Sequence, residues 1–187
     1  QSAHIILKKE IKNKRYFINS INYYLRKYPV AVLFVKKKGS LFHARHSARK
    51  RVYKYLILNS DTVSPLNKNR VWFVRKKLNL ISMRKALKIL KGTHDFSTFR
   101  SSSCQSKSAI KTLNNANLKK IGKIIEISFS SKSFLQQQVR SMVGSIKFLG
   151  EGKWTLKDFK KAFLSKQRSN CAPPAPPYGL YLFKVYY

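Results

Sequence analysis

Six side chains in this sequence carry a carboxylate and forty are Lys or Arg, so proton-transfer or nucleophilic chemistry has few acids to draw on. Asp95 is the most tempting of the six, because it follows His94 in a loop and the pair could move a proton. The residue also reads as a turn former whose carboxylate accepts backbone N–H groups, and that reading is favoured. Among the cations, Arg140 has the most informative spacing. In FLQQQVRSMVGSIKFLG (134–150), Gln136, Arg140 and Gly144 stand four residues apart. On a helix this places a guanidinium beside a position where another backbone can approach closely. Either Arg140 snorkels from a core helix, or it points into a pocket and pairs with a carboxylate or phosphate. Cys104 and Cys171 belong to no CxxC or Cys/His cluster, so no metal site is expected and both read as reduced thiols.

The elements that must position these groups follow from periodicity. Leu135, Val139, Met142, Val143, Ile146 and Leu149 form the apolar stripe of a helix, with Ser131 or Ser133 in the N-cap place. Phe17, Ile21, Tyr24 and Leu25 predict an earlier helix that Pro29 ends. Val30–Val35 is a compact apolar run and reads as a buried strand, followed by a turn over 36–39. Val52, Lys54 alternate against Tyr53, Tyr55 in a strand with an aromatic face, and Val71–Arg75 is a further strand. Leu80–Lys91 reads as a helix with Ile81, Ala86, Leu87 and Leu90 inward. A serine-rich loop (92–113) leads into a strand, and Ile125, Ile127 and Phe129 alternate in another. Trp154–Ser165 is a helix with Thr155 as N-cap and Asp158 in its first turn. CAPPAPPYG (171–179) is a proline-dense extended loop, and LYLFKVYY closes as a strand. Strands interspersed with a few helices give an α+β class.

A formal net charge of +34 over 187 residues repels itself in a compact isolated state, and a polyanion such as RNA is the natural partner. No apolar stretch is long enough for a membrane-spanning helix. Arg45, Arg49, Lys50 and Arg51 crowd seven residues, Lys54 follows, and the adjoining strand tyrosines add stacking surface, a pattern that points to RNA contact. The polar positions Arg84, Lys85, Lys88 and Lys91 of the 80–91 helix are all cationic, without the Glu partners of an ordinary surface helix, so that face is expected to meet phosphate. Arg100 and Lys107, in the serine-rich loop, complete the candidate nucleic-acid contacts.

Four motifs in order, FHARHSARKRVYKY (42–55), GTHDFSTFRSSSCQSKSAIKTL (92–113), FLQQQVRSMVGS (134–145) and APPAPPYGLYLFKVYY (172–187), resemble the TruA-type tRNA pseudouridine synthases across essentially the whole chain. The resemblance implies a pseudouridine synthase fold: a mixed or antiparallel sheet flanked by helices, in two ferredoxin-like subdomains with an RNA-binding cleft. The first subdomain would be incomplete, over 1–58, and the second would span 59–187. Such enzymes act as homodimers, need no cofactor or metal, and isomerise uridine in the tRNA anticodon arm. By the same resemblance Tyr53 stacks on the target base, Arg140 pairs with the catalytic aspartate, and Leu180 packs against the base.

Three departures bear on activity. The family's nucleophilic aspartate lies in an Arg-Thr-Asp-x-Gly-Val-His-Ala motif that would end just before Gln1, and neither Asp61, Asp95 nor Asp158 stands in that context. His46 replaces a usual Phe, and Gln136–Gln138 replace a more apolar, His-containing stretch. Lys or Arg occupies helix-surface positions where the enzymes carry Glu or Asp. Uridine isomerisation needs the aspartate, so these residues alone are expected to be catalytically inert, with Tyr53, Arg140 and Leu180 a remnant pocket. The preferred expectation is a structural rRNA-binding component of a mitochondrial ribosome, beside neighbouring ribosomal proteins. The alternative is the C-terminal part of an active tRNA pseudouridine synthase.

Overall fold

A computed structural model describes all 187 residues, and contacts divide them into Ser2–Ser47 and a larger unit of Ala48–Tyr187 together with Gln1. The smaller unit holds one helix, α1 (Lys14–Leu25), whose Asn13 side chain accepts the Tyr16 N–H at 2.9 Å. Phe17, Ile18, Ile21 and Leu25 are half-buried, Tyr24 faces away at 78% exposure, and the unit has no fully buried residue. Val30–Val35 is not a buried strand: Leu33 and Phe34 are 84% and 77% exposed. An apolar run becomes a strand only with a ladder partner, and this unit contains no other strand. Beyond a turn bond from the Val30 N–H to Tyr28 O, its backbone is held by a side chain, the Asn22 amide, which bonds both the N–H and the C=O of Val32. The expected turn comes slightly later, where Gly39 accepts the Phe42 N–H.

In the larger unit the order is β1 (Lys50–Asn59), β2 (Trp72–Val74), α2 (Leu80–Leu90), β3 (Gly92–Asp95), β4 (Ile110–Ile121), β5 (Ile124–Ser131), α3 (Gln138–Gly150), α4 (Leu156–Leu164) and β6 (Leu180–Tyr186). These form a mixed six-stranded sheet with helices, an α+β architecture as expected. β1 is its centre. One edge pairs antiparallel with β5 over Arg51–Leu58. The other is shared, with β6 along Lys50–Tyr55 and parallel β2 along Ile57–Asn59. Residues 50–58, grouped by sequence with the N-terminal part, therefore belong to this sheet. β4 and then the short β3 extend it beyond β5, and Gly122, at φ +58, supplies the left-handed residue of the β4–β5 turn.

The core lies between one sheet face and the helices. Tyr55 and Ile57 from β1 and Ile125, Ile127 and Phe129 from β5 are wholly buried, as are Met83 and Leu90 of α2 and Met142, Val143 and Ile146 of α3. Ile81 is 66% exposed and Met83 takes the inward place expected for it. Met83, Ala86, Leu87 and Leu90 keep the 3–4 spacing of a stripe, and Ile81 falls about 200° around the helix from Met83. α3 starts at Gln138, three residues later than the apolar stripe, and neither Ser131 nor Ser133 caps it: Ser131 ends β5 and donates to Ser133 O at 2.7 Å. Gln137 takes φ +61 at the cap, and the Gln138 side chain instead accepts the Leu135 N–H at 2.8 Å. Gln136 is thus off the helix, leaving Arg140 and Gly144 as its informative pair. α4 carries the expected cap, a reciprocal Thr155–Asp158 box.

Candidate functional site

The site is built from β1, α3 and the proline-rich strap that leads into β6. On β1, Tyr53 stands between Phe129 of β5 and Leu182 of β6, and the edge of its ring meets Phe134 with centroids 5.0 Å apart. It is half-buried rather than the exposed strand tyrosine expected, because β1 is central. Burial raises its phenol above the ordinary range, against the opposing charge of Arg51. Tyr55, two residues on and on the same face, is wholly buried and donates its hydroxyl to Pro176 O at 2.7 Å. Burial and then Tyr178 push its phenol far above the usual tyrosine range, despite Arg140.

The strap is gripped from the helix as well. Arg140 Nε donates to Ala175 O at 2.6 Å, and Arg140 O accepts the Ala175 N–H at 2.9 Å. Gly144, one turn later, is where the strap crosses α3: a Cβ there would overlap the Pro173 carbonyl oxygen. The close backbone approach expected from the Arg140–Gly144 spacing is present. At the far end Gly179 lies against β1, where a Cβ would stand 2.8 Å from Leu56 O and the Tyr55 ring. Leu180 then pairs with Tyr55 in the ladder. Tyr53, Arg140 and Leu180 are accordingly drawn to one neighbourhood, about Tyr55 and the strap.

Arg140 is half-buried, and only its Nε has a partner within the chain. None of the six acids pairs with it. Glu10 bonds Lys37, Glu126 bonds Lys54, Glu151 lies between Lys147 and Lys153, and Asp95 faces Lys166. Asp158 is in the α4 cap, and Asp61 is exposed in a loop. Anchored at Nε with its terminal nitrogens open, the guanidinium presents a fork suited to a carboxylate or phosphate. Asp95 forms a turn: its carboxylate accepts the Ser97 N–H at 2.9 Å, and its pKa is lowered first by the Ser97 hydrogen bond. The His94 ring bonds Lys91 O instead.

The candidate RNA contacts fall into two kinds. Arg100 is committed to the carbonyls of Cys104 and Ser106. Arg51 bonds Lys132 O, Lys54 bonds Glu126 and covers the Phe183 ring, and Lys50 lies over Tyr186. By contrast Arg49, Arg84, Lys85, Lys88 and Lys107 are exposed in the larger unit, while Arg45, in the smaller one, is exposed but engaged within the chain. Sequence reasoning missed Lys157, Lys160 and Lys161 of α4, exposed on a helix packed against α2. The KDFKK spacing around Phe159 was their available signal. It also missed Tyr55, whose hydroxyl at an inward strand position was the only hint.

Residues 86–187 match the family described as tRNA pseudouridine synthase. The whole chain is 53% identical to the tRNA pseudouridine synthase A of Pelagibacter ubique (strain HTCC1062) and spans 76% of it. It is 41% identical over its full length to the enzyme of that name from Maricaulis maris (strain MCS10), spanning 75% of that protein. These names back the synthase expectation over the ribosomal one, and nothing in them supports a mitochondrial ribosomal protein. Similarity at this level over all 187 residues, on an α+β fold, means that the chain belongs to the tRNA pseudouridine synthase family.

Proposed function

We propose that this chain is the greater part of a tRNA pseudouridine synthase, an isomerase acting on uridine in the tRNA anticodon arm. The reaction breaks the N1–C1′ glycosidic bond, turns the base, joins C5 to C1′, releases the C5 proton and leaves a proton on N1. No oxidant, reductant or cofactor enters that balance. Tyr53 stacks on the target base, Leu180 packs against it, and the open fork of Arg140 holds the carboxylate of an aspartate supplied from outside these 187 residues. One observation carries the reading: a half-buried guanidinium, fixed at Nε and left without an acid by all six carboxylates of the chain. The cations that pointed to ribosomal RNA serve tRNA phosphates equally well, so they argue for no separate function.

The test uses the native protein, with its N-terminus read by intact-mass spectrometry, and tRNA carrying uridine tritiated at C5. Tritium release is expected from the native protein. Arg140→Ala abolishes release, while tRNA affinity stays within about threefold because many dispersed phosphate contacts carry it. A native protein that binds tRNA but releases no tritium overturns the proposal.

A further inference from the structure

We infer that Tyr55 is a positioning residue of this site, acting through the proline-rich strap on Arg140. The catalytic arm of this inference rests on the synthase reading; the structural arm does not. An arginine side chain is long and flexible, and a productive site needs it held to about 0.5 Å. Its anchor here is a single carbonyl, that of Ala175, in a segment with no regular secondary structure. The strap cannot hold itself by a backbone ladder. Pro173, Pro174, Pro176 and Pro177 lack N–H groups, and the Ala175 N–H is already given to Arg140 O.

The Tyr55 hydroxyl adds a tie from the strap to the sheet, 2.7 Å from the next carbonyl along, Pro176 O. Tyr55 sits in the central strand with neighbours on both edges and no exposure. Its burial also keeps the phenol protonated and able to donate. The connection therefore runs from β1 through Tyr55 Oη to Pro176, to Ala175 and to the guanidinium. Tyr53 lies two residues away on the same strand, so one strand sets the place of both the stacking ring and the arginine fork. Gly144 and Gly179 close the device by letting the strap lie against α3 and β1.

The test is Tyr55→Phe, which keeps the core-filling ring and removes only the hydroxyl. Tyr55→Met, also without a hydroxyl, replaces it if the first variant does not fold. The direct readout is hydrogen exchange of the Arg140 Nε–H, followed by NMR in the native protein without RNA. Exchange is expected to quicken about tenfold, the worth of one buried hydrogen bond. Thr155→Ala, which destabilises a remote helix cap, should leave that signal unmoved. In tritium-release kinetics kcat is expected to fall about tenfold with KM for tRNA unchanged, since binding is dispersed and positioning is local. If the wild-type protein releases no tritium, the synthase reading falls while the exchange measurement still decides this one. Unchanged Arg140 exchange in the hydroxyl-free variant overturns the inference, as does an equal shift in Thr155→Ala.

Discussion

Gly144→Ala tests the crossing of strap and helix most directly. The added methyl would overlap the Pro173 carbonyl oxygen and stand 3.1 Å from the Pro173 carbonyl carbon and 3.2 Å from Ala175 N. All three are backbone atoms of a segment stiffened by four prolines, so no side chain can swing aside. The strap must lift, and lifting it breaks the two bonds that join Ala175 to Arg140. Overpacking costs about 1–3 kcal/mol, and the two hydrogen bonds about 1–3 kcal/mol together. Alanine returns about 1 kcal/mol through helix propensity. The net loss is about 1–5 kcal/mol, or a fall in Tm of about 2–20 °C for a chain of this size. Gly150→Ala on the same helix is the matched comparison. Its methyl would meet Met83 Sδ at 2.8 Å and Cγ at 3.0 Å, the end of a flexible side chain that can repack, so its net effect should stay within about 1 kcal/mol. Thermal and urea unfolding of both variants give the answer. Equal destabilisation of the two, or a Gly144→Ala protein as stable as wild type, would refute the reasoning about the strap.

Two further outcomes follow from charge and protonation. Replacing Arg84, Lys85 and Lys88 by Ala should make the log–log salt dependence of tRNA binding shallower by about 2–3; fluorescence titrations between about 50 and 200 mM salt measure it, and an unaltered slope would remove α2 from the RNA interface. In the smaller unit, His43 Nδ1 accepts the Arg45 and His46 N–H groups at 3.1 and 3.3 Å, with the His4 and His46 rings 4.5 and 4.4 Å away. Burial, then the charges of His46, His4 and Arg45, hold its pKa below 6.5. The folded loop thus binds fewer protons than the unfolded chain, so its stability is full above pH 6.5 and declines as pH falls through the lower folded value. Amide exchange at Arg45 and His46 should quicken on acidification; a His43 that titrates above 6.5 by NMR would contradict this.

Much of the fold was legible where the signal is local. The Ile125, Ile127, Phe129 alternation names β5, and the Thr155–Asp158 spacing marks the start of α4, because pleat and cap are set by neighbours in sequence. Val30–Val35 failed for the opposite reason, since a strand is completed by a partner that its own residues cannot specify. The same rule hid residues 114–121 of β4, an Asn- and Lys-rich stretch made a strand by its pairing with β5. At α3, periodicity ran on through Phe134 and Leu135, but the left-handed Gln137 and the Gln138 side chain end it. In the site, Arg140 and Gly144 were readable from their spacing. Which segment crosses there was not, nor was the hydroxyl of Tyr55, because both depend on a strap more than thirty positions away in sequence from Arg140.

Charge was the most prominent feature of the sequence and the least discriminating. Every RNA offers phosphate, so a large positive balance names the class of partner and leaves the role open. The features that separate roles are those a surface for packing RNA does not require. Dispersed lysines such as those of α2 and α4 suffice for such packing, and they tolerate almost any scaffold beneath them. A half-buried guanidinium anchored at one nitrogen, beside a neutral tyrosine under a strap with a single backbone N–H between its prolines, costs stability and demands two glycines at fixed points. Open terminal nitrogens on a half-buried guanidinium are costly to hold in place. Their natural explanation is a partner that arrives with the substrate or with the rest of the active site. That asymmetry, rather than the net charge, weighs toward an isomerase and away from a passive scaffold.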